Sequence, residues 1–117
     1  MSYLSGLALI NSSPQQISVP SFDVGGGNID MIDAVCEVLA ERNTAAFIAS
    51  TPSSIEDYFG MSHFVQSVKA GAKKHNANIA AHLDHATKVA DVEMAIDLGF
   101  SSVMYDGSSL PIEKNTE

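Results

Sequence analysis

A parallel α/β fold is what this sequence predicts, on three observations. Short apolar runs alternate with longer segments whose apolar residues recur at three and four, the pattern of repeated strand–helix units. The runs are nearly continuous in apolar residues, as in strands covered on both faces. Their starts, near residues 17, 44, 78 and 101, are spaced as successive βα units with right-handed crossovers. Four such units make about the first half of a TIM (β/α)8 barrel, which takes ~250 residues when complete. An open four-stranded sheet is the alternative architecture.

The elements follow in order. Residues 1–10 are mildly apolar with no basic stretch before them, so they predict a short terminal helix and not a signal peptide. Asn11-Ser12-Ser13-Pro14 breaks it. Residues 17–24 alternate with a strand's period, although Pro20 limits their hydrogen bonding. Gly25-Gly26-Gly27-Asn28 turns the chain, and Asn28 can cap a helix over 29–42. The triple glycine could cradle phosphate, but its spacing matches neither the dinucleotide fingerprint nor a P-loop. Residues 44–50 are the second strand and Thr51-Pro52-Ser53-Ser54 a loop. A helix over 61–75 follows, with Phe64, Val65 and Val68 toward the core. Lys69, Lys73 and Lys74 load its last turns as a solvated face, as the helix dipole favours, and His63 and His75 read as surface residues. Residues 78–84 form the third strand, 88–98 a helix stopped by Gly99, and 101–105 the fourth strand. Residues 110–117 look like the entry to another helix.

Composition narrows the function. The 117 residues suit one domain, 1–117, and 45% hydrophobic with 17% charged residues argues against disorder. A net charge of −8, with Arg42 the only arginine, disfavours nucleic acid and an anionic membrane surface. It leaves room for a phosphorylated substrate, because backbone N–H groups and a metal can make a site locally positive. No apolar stretch approaches the ~18 residues of a transmembrane helix. Cys36 stands alone within a helical pattern, so it reads as a buried structural thiol in a reducing, cytoplasmic setting.

The chemistry concentrates at strand ends: Asp23, Ser50, Asp84 with His85, and Asp106. Each alone is ordinary turn chemistry. In a parallel α/β fold all four strand ends share the face where ligands bind. The stretch His82-Leu83-Asp84-His85 is the densest part: a neutral imidazole can hold a metal while a neighbouring carboxylate shuttles a proton. The bland alternative is a capping Asp beside a surface His. No Gly-x-Ser-x-Gly elbow of a serine hydrolase is present. A His-Asp metal phosphohydrolase would place the pair on a helix, and the apolar strand before His82 counts against it.

Three stretches carry a family resemblance: Ser18-Val19-Pro20-Ser21-Phe22-Asp23-Val24, Ala80-Ala81-His82-Leu83-Asp84-His85-Ala86, and residues 99–108 with Ser102-Val103-Met104-Tyr105-Asp106-Gly107-Ser108. Tyr58-Phe59-Gly60 adds a Tyr-x-Gly after the second strand. Together they resemble the amino-terminal half of the class II, metal-dependent fructose-bisphosphate and tagatose-bisphosphate aldolases, over nearly the whole chain. The resemblance implies Asp84 as the catalytic acid/base, His85 as the first of three zinc histidines, Asp106 as a carboxylate of a second or alternative metal position, and Ser50 as a substrate contact. Asp23 stands where the family has Asn, and no role passes to it.

The activity implied is reversible cleavage of a ketose bisphosphate to dihydroxyacetone phosphate and an aldehyde, in carbohydrate metabolism such as glycolysis. The implied cofactors are a catalytic Zn2+, a second divalent site and, in a complete enzyme, a monovalent cation; complete members are homo-oligomers. The family's other two zinc histidines, its phosphate loop and its monovalent-cation site have no counterpart in these residues. The expectation is therefore a truncated chain, inactive alone. The alternative is a non-catalytic aldolase-like subunit or remnant that acts through a partner.

Overall fold

The computed structural model describes residues 3–12 and 18–116. Part of the Asn11–Pro14 breaker, the start of the predicted first strand, and residues 1, 2 and 117 lie outside them. The chain begins with helix α1 (Gly6–Asn11), capped by Ser5, whose hydroxyl accepts the Ala8 amide. Strand β1 (Ser21–Asp23) is shorter than its alternation suggests. Pro20 has no N–H to donate, and the paired strand starts just after it; its carbonyl still accepts from the Phe47 amide at 2.9 Å.

Helix α2 (Ile29–Arg42) has the predicted bounds. The Asn28 side chain accepts the Met31 amide at its start, and Asn43 closes it in the left-handed conformation that asparagine tolerates. Strand β2 (Ala45–Ser50) follows. The predicted loop after it is instead a short helix, α3 (Pro52–Glu56). Its signal was present in the sequence: Thr51 is an N-cap residue and Pro52 sits in the first turn, where the missing N–H costs nothing. Helix α4 (Gly60–His75), strand β3 (Asn78–Ala86), helix α5 (Val89–Leu98), strand β4 (Ser102–Tyr105) and a single turn, α6 (Ile112–Asn115), complete the order.

All neighbouring strands are parallel, in the order β1-β2-β3-β4. Sequential parallel order is that of a (β/α)8 barrel, here with four strands. Period two sorts the side chains. Ala46 and Ile48 of β2 and Ile79, Ala81 and Leu83 of β3 face the helices and join Ile32, Cys36, Phe64, Val65 and Val68 in one buried core. Phe64 is fully buried and stacks on Phe100 with ring centroids 5.4 Å apart. Such a ring contributes about 2–3 kcal/mol by burial. Burial pushes the Cys36 thiol up to about 11, with the nearby Asp33 adding to it, so this cysteine is structural as expected.

Among the described residues the opposite face is covered only at its amino-terminal end, where Leu9 of α1 packs on Ala45 and Ala80. Toward the carboxyl end that face is open, and it carries the polar residues.

Two readings of surface residues are corrected. His63 and His75 are half-buried: His63 Nε2 lies 3.1 Å from the Gly27 carbonyl, and His75 Nε2 lies 2.7 Å from Asp33 Oδ1. Lys73 and Lys74 are exposed, as expected, and Lys69 is half-buried. Lys74 Nζ donates to Asp33 at 2.7 Å, and Lys69 Nζ sits 5.2 Å from the centre of the Tyr3 ring. Both histidines project from α4 toward the β1–α2 segment, which local sequence does not reveal.

Candidate functional site

The site is built on the carboxyl end of β3. This strand continues two residues beyond the predicted end at Asp84, through an irregularity. Leu83 pairs with Val103 and Ala86 with Tyr105, so three steps along β3 match two along β4. One extra residue is accommodated there as a bulge, which re-aims side chains that would otherwise point to opposite faces. His85 takes the strain, with φ +52°. The other non-glycine residues with positive φ among those described, Asn43 and Asn76, are helix caps. His85 has no such reason, and a left-handed L-residue costs roughly 1–2 kcal/mol. Residues held in this way concentrate at functional sites.

The bulge brings a cluster together. His82 and Asp84, two apart on one strand, share the open face, with His82 Nε2 3.6 Å from Asp84 Oδ1. His85 Nε2 lies 3.8 Å from the other Asp84 oxygen. His85 Nδ1 donates to Asp106 Oδ2 at 2.8 Å, and Asp106 Oδ1 accepts the Ser108 amide at 3.0 Å. Farther in, His82 Nδ1 is 2.7 Å from Ser102 Oγ, and its ring meets the edge of Phe47.

Electrostatics separate the two imidazoles. The Asp106 hydrogen bond, with the Asp84 charge behind it, raises the pKa of His85. The Ser108 hydroxyl and His85 hold the Asp106 carboxyl well below its usual range. Burial lowers His82 instead, against the pull of Asp84. Proton affinity thus rises at one imidazole and falls at the other.

Of the predicted set, the structure joins Asp84, His85 and Asp106 and leaves Asp23 and Ser50 apart from them. Ser50 has the helix-facing parity of β2, is fully buried, and accepts the Gly26 amide at 3.0 Å. Gly26 needs to be glycine: its φ is +79°, and a Cβ there would run into the Ser54 carbonyl. Asp23 accepts the Gly25 amide at 2.9 Å in a local turn. Sequence reasoning assigns no individual role to His82 or Ser102. The i, i+2 spacing of His82 and Asp84 was the available signal for the first; the cross-strand pairing of His82 with Ser102 had none.

The donor set fits one corner of a zinc site. His85 has the arrangement of a ligating histidine, with one ring nitrogen fixed by a carboxylate and the other turned to Asp84. A catalytic zinc needs three protein ligands. Among the described residues no three His, Cys, Asp or Glu side chains converge to hold a metal. An open cleft of about 350 Å³ borders His85, lined also by Thr51, Ser53 and Lys88. A hollow of about 440 Å³ between α2 and α4 is remote from this chemistry. No helix of the described residues is long and apolar enough to cross a membrane.

Comparison with known proteins agrees with this fold. A family model for fructose-bisphosphate aldolase class-II matches residues 9–117. The YdjI aldolase from Escherichia coli K12 superposes with a TM-score of 0.79 at 20% identity, covering 96% of this chain and 43% of that one; at this identity the likeness is one of fold. A fructose-1,6-biphosphate aldolase candidate from Coccidioides immitis also superposes at 0.79, with 27% identity, covering 94% of this chain and 42% of that one. This chain thus spans less than half the length of either structure.

Proposed function

Because the chain belongs to the class II fructose-bisphosphate aldolase family, we propose that residues 1–117 form one partial barrel domain that contributes the proton shuttle and one zinc ligand to a ketose-bisphosphate aldolase. The reaction is reversible cleavage of fructose 1,6-bisphosphate, or a related ketose bisphosphate, to dihydroxyacetone phosphate and an aldehyde, within cytoplasmic carbohydrate metabolism. The observation that carries this reading is the Asp84–His85 pair set across a β-bulge, with His85 strained and fixed by Asp106.

Asp84 is the acid/base: it takes the proton of the C4 hydroxyl as the C3–C4 bond breaks, and returns it in synthesis. His82, whose neutral form burial favours, lies against the second side of Asp84 and limits where its carboxylate can turn. His85 would hold zinc through Nε2, with Asp106 orienting the ring and lying beside any second divalent ion. Zinc bound there supplies Lewis-acid polarisation of the substrate carbonyl. Ser50 acts on substrate through the glycine turn that its hydroxyl fixes.

The test is a chimera in which this chain replaces the matched segment of a complete class II aldolase. It should turn over fructose 1,6-bisphosphate with zinc bound. Asp84→Asn should lower turnover at least a thousandfold with zinc content unchanged, whereas His85→Ala should lose the zinc. Turnover within tenfold of the parent after Asp84→Asn would remove Asp84 from the reaction.

A further inference from the structure

His82 is held from both flanking strands. It pairs in register with Ser102 of β4, just before the ladder slips, and its Nδ1 lies 2.7 Å from the Ser102 hydroxyl. On the other side the Phe47 ring of β2 meets it edge-on, with ring centroids 5.9 Å apart. Helix α1 backs both neighbours. A Cβ on Gly6 would come to 3.3 Å from the Phe47 ring and from Ser102 Cβ, and the Gly6 amide donates to the Ser101 carbonyl at 3.0 Å. All these groups belong to α1 and to the consecutive strands β2, β3 and β4.

The two ring nitrogens therefore differ in what they face. Nε2 lies 3.6 Å from Asp84 Oδ1, a charge–dipole contact rather than a hydrogen bond. A lone pair on Nε2 would oppose the carboxylate, so the neutral ring carries its proton there. Nδ1 is left as an acceptor, and the Ser102 hydroxyl donates to it. The other Asp84 oxygen, Oδ2, lies 3.8 Å from His85 Nε2. The two oxygens of one carboxylate thus have different neighbours.

We propose that Ser102 and His82 are positioning residues for Asp84: the Ser102 hydroxyl fixes the ring with Nε2–H toward Oδ1, which leaves Oδ2, on the His85 side, to exchange the substrate proton. This role rests on Asp84 being the acid/base of the reaction proposed above. Without the ring the carboxylate can turn and swap its oxygens, and a reacting group misplaced by about 1 Å costs about a hundredfold in rate.

Two measurements test this. In the full 117-residue chain at about pH 8, above the ordinary imidazole value, ring nitrogen NMR should show His82 with its proton on Nε2 and a hydrogen-bonded, unprotonated Nδ1. Ser102→Ala should move the Nδ1 resonance to that of a free acceptor. A proton on Nδ1 in the parent, or a resonance that Ser102→Ala leaves in place, would overturn the proposal. In the aldolase chimera, Ser102→Ala should lower kcat about tenfold and His82→Leu about a hundredfold, with KM unchanged. His82→Gln keeps an N–H near the Nε2 position and should recover most of that loss, which a merely structural ring would not allow. The double variant Ser102→Ala/His82→Leu should be no slower than His82→Leu alone, because Ser102 acts only through the ring. Additive losses, a fall carried by KM, or His82→Gln as slow as His82→Leu would each overturn it. If His82→Leu does not fold, Ser102→Ala is measured on His82→Gln, where it should likewise have no effect. A chimera indifferent to Asp84→Asn would strike the aldolase reading instead, and the ring resonances would still decide the Ser102–His82 arrangement.

Discussion

The two faces of the sheet solve different problems with the same strands. On the helix-covered face, Ile48, Ile79 and Leu83 disappear into a core with Phe64 and Ile32, and among the described residues no buried side-chain polar atom lacks a hydrogen-bond partner. Across the sheet, His82, Asp84 and the strained His85 stand on an open surface where the ladder slips by one residue. Stability is invested on one side and chemistry is placed on the other. The contrast predicts that equally drastic substitutions on the two faces have opposite consequences.

The largest effect should come from the covered face. Phe64→Ala removes a fully buried ring that stacks on Phe100, and a cavity of that kind costs about 3–5 kcal/mol. Domains have only about 5–15 kcal/mol in total, so the variant should be largely unfolded in mild denaturant. A urea midpoint close to that of the parent would show that the core is not where stability resides.

A smaller loss is expected at the border between the faces. Gly26→Ala places a methyl against the Ser54 carbonyl at a positive φ and disturbs the amide that Ser50 accepts. Strain of this kind costs about 1–3 kcal/mol. The same urea titration should place this variant between Phe64→Ala and the parent.

On the open face the sign should change. His85→Gly relieves a left-handed backbone at an exposed position and loses only one exposed hydrogen bond, to Asp106. Above the His85 titration midpoint, where its pairing with Asp106 has faded, we expect stability to be unchanged or raised by up to about 1 kcal/mol, with zinc affinity of the chimera lost. A clear destabilisation would mean that His85 holds the fold together, and would erase the division between the faces.

The same division governs what was legible in the sequence. The covered face follows from short-range periodicity, so α2 came out with its observed bounds and β2 and β4 within a residue. The strand-end residues Asp84, His85 and Asp106 were legible as residue types at strand ends. Their joining was not, because the bulge depends on how β3 registers with β4, and a one-residue slip leaves no local trace. Ser50 shows the converse: its place at a strand end was read correctly, but its parity turned it to the helices and the Gly26 amide. Strand-end position alone does not say which face a residue serves.

The smallest effect is a difference between two histidines three residues apart, and it is the sharpest test of the open face. His85 has its pKa raised by Asp106 and Asp84, so its titration midpoint, followed by NMR of the ring Cε1–H, should lie above the ordinary 6.5. His82 is depressed by burial, so its midpoint should lie below 6.5. The stability that His85 contributes is fully present below pH 6.5 and fades as pH rises through its folded value. Asp106, held low by Ser108 and His85, contributes above its ordinary 3.8 and loses that contribution as pH falls through its folded value. The His85–Asp106 pair therefore supports the fold most between those two ordinary values. His82 opposes it there: its neutral form is favoured in the fold, so its contribution is complete above 6.5 and is lost as pH falls through its lowered value. Asp106→Asn should bring the His85 midpoint down toward 6.5 and move that of His82 much less, since of the two imidazoles His85 alone bonds to Asp106. A His85 midpoint that does not move in this variant would show that Asp106 neither charges nor orients the ring, and the bulge would lose its purpose.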